Sequence, residues 1–498
     1  VKINLQTVIK IYNMSVRNLE PQIIWNHFED LNAVPRPSKK EERIRQFMVD
    51  FGNKLGLETC VDKIGNVIIK KSATPGMENR ETVILQGHID MVHQKNSDTV
   101  FDFDTQGIQS YIDDEWVKAK GTTLGADNGM GVAAAMSLLS SDEYIHPALE
   151  ALFTIDEETG MTGAMHLDGS LLTGKVLLNL DTEDDDEFSV GCAGGIDTNT
   201  SYTYKTESVP ADYTAFTIDL RGLKGGHSGM DIHLGRGNAN LLMNRLIYEA
   251  SRKFDIRLTE LEGGSLRNAI PRESFGTVVL PTSEKDEFVA FFTEFTTLLN
   301  FENSSSEPQM KFTLAETESP SEMIVAEDHS KILSVIYTTP NGVWKMSEKI
   351  EGLVETSSSF AKVIIRNGEF ITKSLQRSMV EAGKHDIANA LRLTYELIGA
   401  DVVQGGDYPG WAPNPDSKIL KVLEAKYIHM FEEQPKIQAC HAGLECGILS
   451  EHILDCDMIS FGPTIKNPHS PDEKVNIASV QKFWNFLLEV LKETPVKA

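Results

Sequence analysis

Apolar residues recur with helical spacing over residues 21–31 and 40–55, so amphipathic helices are predicted there. Short β-branched runs at 66–70 and 82–85 read as strands, as do the apolar runs 149–155 and 176–180. Residues 128–140 are small and apolar throughout, the pattern of a helix buried on every side. This alternation predicts an α/β domain, a mixed sheet flanked by helices. The texture changes near residue 211. A strand over 213–220 leads into the turn Gly225-Gly226-His227-Ser228-Gly229, and a helix follows over 237–252. Strands and helices continue to about residue 405, interrupted by a polar loop at 302–309, and the glycine-rich turn 405–411 reads as a boundary. A helix (417–431), a strand (458–461) and a closing helix (480–491) complete the chain. The expectation is a discontinuous α/β domain built from residues 1–210 and 406–498, with an α+β domain inserted at 211–405.

Composition narrows the possible functions. The 498 residues carry 73 acids against 47 Lys and Arg, a net charge of −26. That argues against a nucleic-acid binder, which needs clustered positive charge, and against a basic membrane-surface protein. The longest apolar runs, such as 131–139, fall far short of the ~20 residues that span a bilayer. None of the five cysteines forms a CxxC pair, so neither a disulfide framework nor a cysteine zinc site is expected. Free thiols in a reducing cytoplasm fit this usage. No secretory signal is visible; Met14 is read as the start, with residues 1–13 as an upstream extension set aside from the fold.

Five short motifs carry candidate chemistry. In Gln86-Gly87-His88-Ile89-Asp90, His88 and Asp90 lie two apart on extended chain and share a face. A carboxylate there can take one ring N–H and leave the other nitrogen for a metal. In Gly121–Gly131, glycines surround Asp127 at the mouth of the buried helix. Asp127 is either an N-cap or a carboxylate aimed into a cleft the glycines keep open. Asp156-Glu157-Glu158 follows a strand that should be buried, and three like charges there need compensation, most simply a cation. Asp181 ends another apolar strand; the acids at 183–187 read as a solvated loop. His469 sits between Pro468 and Pro471 on a stiff loop. His93, His146, His166, His233, His329, His385, His429 and His452 are read as ordinary histidines.

Four of these motifs fall at C-terminal strand ends, the edge where open α/β sheets bind ligands. His88, Asp127, Glu158, Asp181 and His469 then form a nitrogen and oxygen donor set suited to zinc, with manganese or cobalt as substitutes. Five ligands exceed one catalytic zinc but suit two ions sharing a bridging carboxylate and a hydroxide. The charges balance, four positive against three carboxylates and one hydroxide.

At this point the chain resembles the aminoacyl-histidine dipeptidase branch of the dinuclear zinc metallopeptidases, the group that includes carnosinase, peptidase T and the aminoacylases. The likeness runs from about residue 15 to 497. It is carried by GTTLGADNG from Gly121, GCAGGID from Gly191, GLKGGHSG from Gly222, LRNAIPRE from Leu266, HAGLECG from His441 and PHSPDE from Pro468. The resemblance implies that His88 and Asp181 bind one zinc and Glu158 and His469 the other. It implies that Asp127 bridges them beside a cis peptide to Asn128, that Asp90 orients His88, and that Glu157 is the general base. His227, on an inserted lid domain, would stabilise the oxyanion. Asn268 and Arg377 would hold the substrate's carbonyl and C-terminal carboxylate. The 441–447 segment would line the substrate pocket, with Glu445 holding the ammonium group. Asp156 is given no catalytic role.

The implied activity is hydrolysis of small dipeptides, Xaa-His dipeptides such as carnosine included, by a cytoplasmic enzyme that is expected to be a homodimer. One rival is an amidase or deacylase acting on N-acyl amino acids. A rival of another class is a non-catalytic metal-binding protein, which the intact ligand and base set disfavours.

Overall fold

Parallel strands cannot be joined by tight turns, and the chain supplies helical crossovers between them. The computed structural model describes residues 15–348 and 350–497, so the expected start at Met14 and the extension before it lie outside the described residues. The chain divides into two units, one formed by the segments up to 191, 413–439 and 445 onward, the other by 192–412 and 440–444.

The first unit holds an eight-stranded sheet. Its order is Glu58–Val61, Val67–Lys71, Leu149–Thr154, Val83–His88, Val176–Asn179, Asp457–Ser460, Glu187–Cys192, Lys436–Cys440. Strand Val83–His88 runs parallel to both neighbours, and Asp457–Ser460 runs parallel to Val176–Asn179. Register sets His88 beside Thr154, and both Gln86 and Ser460 beside Asn179, so four strands finish at one edge. Every position of Val83–His88 and Leu149–Thr154 is buried, as expected of parallel strands covered on both faces. Helix Ala126–Ser140 is buried from Ala126 to Leu139 and packs on strand Val83–His88 and helix Gln22–Asn32. Its glycines and alanines are what let it lie so close.

The second unit is antiparallel. Its main sheet runs Lys311–Thr317, Tyr213–Arg221, Ser274–Pro281, Arg257–Gly263, Val354–Arg366, Glu369–Ser378, Gly194–Thr203, Asp401–Tyr408. Helices Ala239–Ser251, Lys285–Glu302, Ala326–Thr338 and Glu381–Glu396 bury Leu246, Phe288, Ile332 and Leu391 in one core with Ile218 and Val278 of the strands.

Three expectations are corrected here. The boundary at 211 comes two strands too late, because Gly194–Thr203 pairs with Glu369–Ser378 and Asp401–Tyr408, and Thr206–Ser208 with Glu322–Ile324, all in the second unit. Its Thr198 and Thr200 hydroxyls bond Gln376 and Thr372. The turn at 405–411 begins inside a strand, bulged between Gly405 and Tyr408, so the second unit runs on to 412. Residues 440–444 also belong to it, which leaves the first unit in three segments rather than two. Glycines in 405–410 read locally as a turn, whereas the pairing of Gly405 is set by a strand far away in sequence.

Candidate metal centre

The edge where the parallel strands end carries the candidate ligands. His88 is the last residue of its strand. Beyond Leu149–Thr154, Asp156 takes a left-handed φ of 52° and turns the chain into a short helix that starts at Glu157. Its carboxylate accepts hydrogen bonds from the Thr159 and Thr162 hydroxyls, which hold that turn. Asp181 lies two residues past Val176–Asn179. Asp127 sits in the first turn of the buried helix, and its peptide to Asn128 is cis. His469, at φ 61°, occupies the loop between Ile465–Lys466 and Lys474–Asn476.

One carboxylate faces both histidines. Asp127 Oδ1 is 3.1 Å from His88 Nε2, and its Oδ2 is 3.2 Å from His469 Nε2. Asp181 Oδ1 lies 3.6 Å from His88 Nε2, and Glu158 Oε2 lies 2.9 Å from His469 Nε2. His88, Asp127 and Asp181 offer ligand atoms within 4.8 Å of one another, and so do Asp127, Glu158 and His469. Glu157 comes equally close to His88 and Glu158.

The electrostatics match a cation site. Hydrogen bonds to Asp127 and Glu158 push the His469 imidazole up to about 11. Burial opposes protonation of His88, but Asp181, Asp127 and Asp90 outweigh it and raise its pKa well above the usual range. Burial also pushes Asp127 up, yet hydrogen bonds from His469 and His88 dominate and hold it well below. Burial, joined by the charges of Asp127, Glu157 and Glu445, raises Asp181. The negative potential that draws protons onto two histidines draws a divalent cation equally. The residues fit a metal pair: the donors are all nitrogen and oxygen, the two triads share Asp127, and the buried Asp181 Oδ1 has no hydrogen-bond partner.

Supporting groups surround this set. Asp90, fully buried, lies 3.4 Å from His88 Nδ1 and accepts the N–H groups of Glu157 (3.1 Å) and Glu158 (3.4 Å). Glu445 Oε2 accepts from Gln86 Nε2 (2.6 Å) and the Thr154 hydroxyl (2.8 Å), while its buried Oε1 has no partner. Burial raises Glu445 to about 7. A buried polar chain continues along the strand ends, from Gln86 through Asn179 and Ser460 to Thr182.

Sequence reasoning missed Arg36 and Glu473. Arg36 is buried and donates to the carbonyls of Asp90 (3.0 Å) and Gly125 (2.6 Å). A Cβ on Gly125 or Gly129 would stand 2.5 or 2.7 Å from its Nη2, so these glycines make room for Arg36 rather than keep a cleft open. Asp127 is not the helix cap either: the cap position is Gly125, and the Glu473 carboxylate takes the N–H groups there. The acids at 183–187 are half-buried rather than solvated; Asp184, Asp185 and Asp186 pair with Lys466, Lys482 and Lys436. Only the arrival of distant lysines distinguishes them from a solvated run.

His227, Asn268 and Arg377 belong to the second unit, and Glu445 to the first. His227 Nδ1 accepts the N–H groups of Gly229 (3.2 Å) and Met230 (3.0 Å). A ring nitrogen that accepts carries no proton, so the neutral ring presents Nε2–H as its donor. Burial and the nearby Arg377 lower its pKa. Glu307, buried in the stretch expected to be merely a polar loop, accepts the N–H of Lys224 (2.7 Å) and Gly237 (2.8 Å) and pins both ends of the His227 segment. Arg377 is 5% exposed, donates to the Tyr408 hydroxyl (2.8 Å), and forms no ion pair among the described residues. Asn268 is exposed, and its carbonyl accepts the Ser228 N–H at 2.8 Å. His441 is buried against the Ser357 hydroxyl at 2.8 Å, in the second unit.

The histidines read as ordinary stay outside this centre. His385 joins an exposed group with Glu381 and Asp407, both of which already pair with the buried Lys384 ammonium. His146 is bonded to its neighbouring carbonyl, and burial lowers His329 to about 4.

Comparison with known proteins agrees with this architecture. The model of peptidase family M20/M25/M40 matches residues 84–493. The cytosol non-specific dipeptidase of Escherichia coli K12 is 41% identical over 479 residues, spanning 96% of this chain and 99% of the relative. The crystal structure of aminoacylhistidine dipeptidase from Vibrio alginolyticus superposes with a TM-score of 0.93 at 44% identity, covering 98% of this chain and 100% of that one. A tripeptidase from Staphylococcus aureus shares the fold at 14% identity, with a TM-score of 0.54 over 96% of this chain and 99% of its own. With five candidate nitrogen and oxygen ligands gathered at a parallel-sheet edge, and with these matches along nearly its whole length, the chain belongs to peptidase family M20/M25/M40.

Proposed function

We propose that the protein is a cytosolic dinuclear zinc dipeptidase acting on unblocked dipeptides, Xaa-His dipeptides such as carnosine among them. The observation that carries this reading is Asp127, whose two oxygens face two different histidines, each beside a further carboxylate. His88 and Asp181 would hold one ion and Glu158 and His469 the other, with Asp127 available to both. The names of two relatives that span almost the whole chain support dipeptides as the substrate class.

Two divalent ions held there would supply Lewis acidity and a water acidified toward neutral pKa. The chain's own residues do the rest. Asp90 fixes the tautomer and orientation of His88 and holds the Glu157–Glu158 turn through its two N–H groups. Glu157 is not needed as a ligand and lies beside the set, so it takes the proton of the attacking water and delivers it to the leaving amine. His227 offers a neutral Nε2–H to the developing oxyanion. Glu445, buried with one oxygen unpartnered, receives the substrate ammonium; Arg377, a buried guanidinium without an acid partner among the described residues, receives the terminal carboxylate; Asn268 serves the carbonyl.

The test is a panel of free and N-acetylated dipeptides, carnosine included, assayed with metal-reconstituted protein. Turnover of the free series and rejection of the acetylated one is expected. Preference for the acetylated substrates would establish the amidase reading instead, and no turnover of either would leave a metal-binding protein.

A further inference from the structure

We propose that Glu473 is a positioning residue that sets metal affinity by fixing the loop from which Asp127 reaches the metals. Its side chain is 2% exposed, and both oxygens are spent on backbone. Oε2 accepts the N–H groups of Leu124 (2.7 Å) and Gly125 (3.0 Å), and Oε1 those of Ala126 (2.8 Å) and Asp127 (3.2 Å). The first amides of a helix have no acceptor within it, and Gly125 has no side chain to offer one. Glu473 fills that role from nearly 350 residues away.

A cap alone would be structural. Two further observations give this one a bearing on the metals. Glu473 follows His469 by four residues, and its own N–H bonds the Ser470 carbonyl at 3.0 Å, so it shares a loop with one proposed ligand while gripping the backbone of another. His469 Nε2 is 3.2 Å from Asp127 Oδ2, the pair that this grip holds together. On the opposite side, Arg36 Nη2 takes the Gly125 carbonyl at 2.6 Å. Gly125, at φ 71°, is thus held through its N–H by an acid and through its carbonyl by a cation, two residues before Asp127. Movement of that loop would shift one carboxylate against both histidines at once, so both metal positions should loosen together.

The inference rests on Asp127 as a shared metal ligand. Its test pairs Glu473→Gln with the unaltered protein. Glutamine keeps the size but turns an N–H₂ toward two backbone N–H groups. Zinc binding is measured by competition with a chromophoric chelator, and kcat and KM for a dipeptide are followed against zinc concentration. The expected result is both equivalents bound at least ~10-fold more weakly, the usual scale for an outer partner of a metal ligand. Saturating zinc should restore kcat, with KM unchanged. Unchanged zinc affinity in a variant with a lowered melting temperature would make Glu473 a cap and nothing more. Should the variant not fold, hydrogen exchange on the unaltered protein decides. The amides of 124–127 should stay equally protected with and without zinc, because Glu473 rather than the metal holds them; loss of protection on stripping would overturn the proposal. If the unaltered protein itself bound no zinc, the metal reading would fall, a result distinct from either.

Discussion

Replacing Asp90 with asparagine removes one negative charge behind His88 and leaves the shape of the side chain intact. Asp90 Oδ1 accepts the Glu157 N–H and faces His88 Nδ1 at 3.4 Å, while Oδ2 accepts the Glu158 N–H. Asparagine has one acceptor oxygen, so its N–H₂ must face either the histidine side or the Glu158 amide. At least one hydrogen bond to a charged acceptor is lost, about 1.5–3 kcal/mol for a single bond. If that loss falls on the metal-loaded geometry, zinc affinity weakens by about 10- to 150-fold, since 1.4 kcal/mol is a factor of ten. The range overlaps the 10- to 100-fold typical of outer partners of metal ligands. Chelator competition measures it directly, with thermal melts alongside to confirm folding. At saturating zinc, kcat should fall far less than affinity does. Zinc affinity equal to that of the unaltered protein would refute the reasoning, because Asp90 would then orient neither His88 nor the acid pair.

Two further predictions concern the residues that move protons and charge. Glu157→Ala should retain two metals per chain and lose turnover by about 10²–10⁴-fold, the usual worth of a general base; full activity with metal bound would remove Glu157 from that role. His227→Ala should lower kcat with little change in metal content. Burial and Arg377 lower the His227 pKa while Asp231 opposes them, so the ring gains a proton only as pH falls below 6.5. The ratio of kcat between unaltered protein and variant should therefore stay flat from neutral pH up, and a ratio that changes across that range would contradict a neutral donor.

Three of the five candidate ligand positions were legible because parallel strands with continuous apolar runs must end together at one edge. His88, Glu158 and Asp181 each close or closely follow such a run, and the structure gathers them with Asp127 and His469 into two adjoining groups. Other features had no local signature. Glu473 looks like any acid in a loop until the amides of 124–127 fold onto it. Glu307 sits in a run of serines and acids, yet it is buried and ties down the segment around His227. Strand Gly194–Thr203 opens with two glycines, and its partners lie at 369–378 and 401–408, so the unit boundary was read too late. In each case the deciding contact is long-range, and a side chain's own neighbours in sequence do not encode it. The high acidity of the chain has the same origin in part, because Asp62, Asp90, Glu150, Glu307 and Glu473 are buried carboxylates whose oxygens hold loop amides.

A shared Asp127 makes a quantitative demand that one titration meets. Protein stripped of metal is titrated with zinc while hydrolysis of a free dipeptide is followed. Activity should be absent at the start and rise until two equivalents per chain are bound. Full activity in the stripped protein, or saturation at a single equivalent, would contradict a two-metal centre built on Asp127.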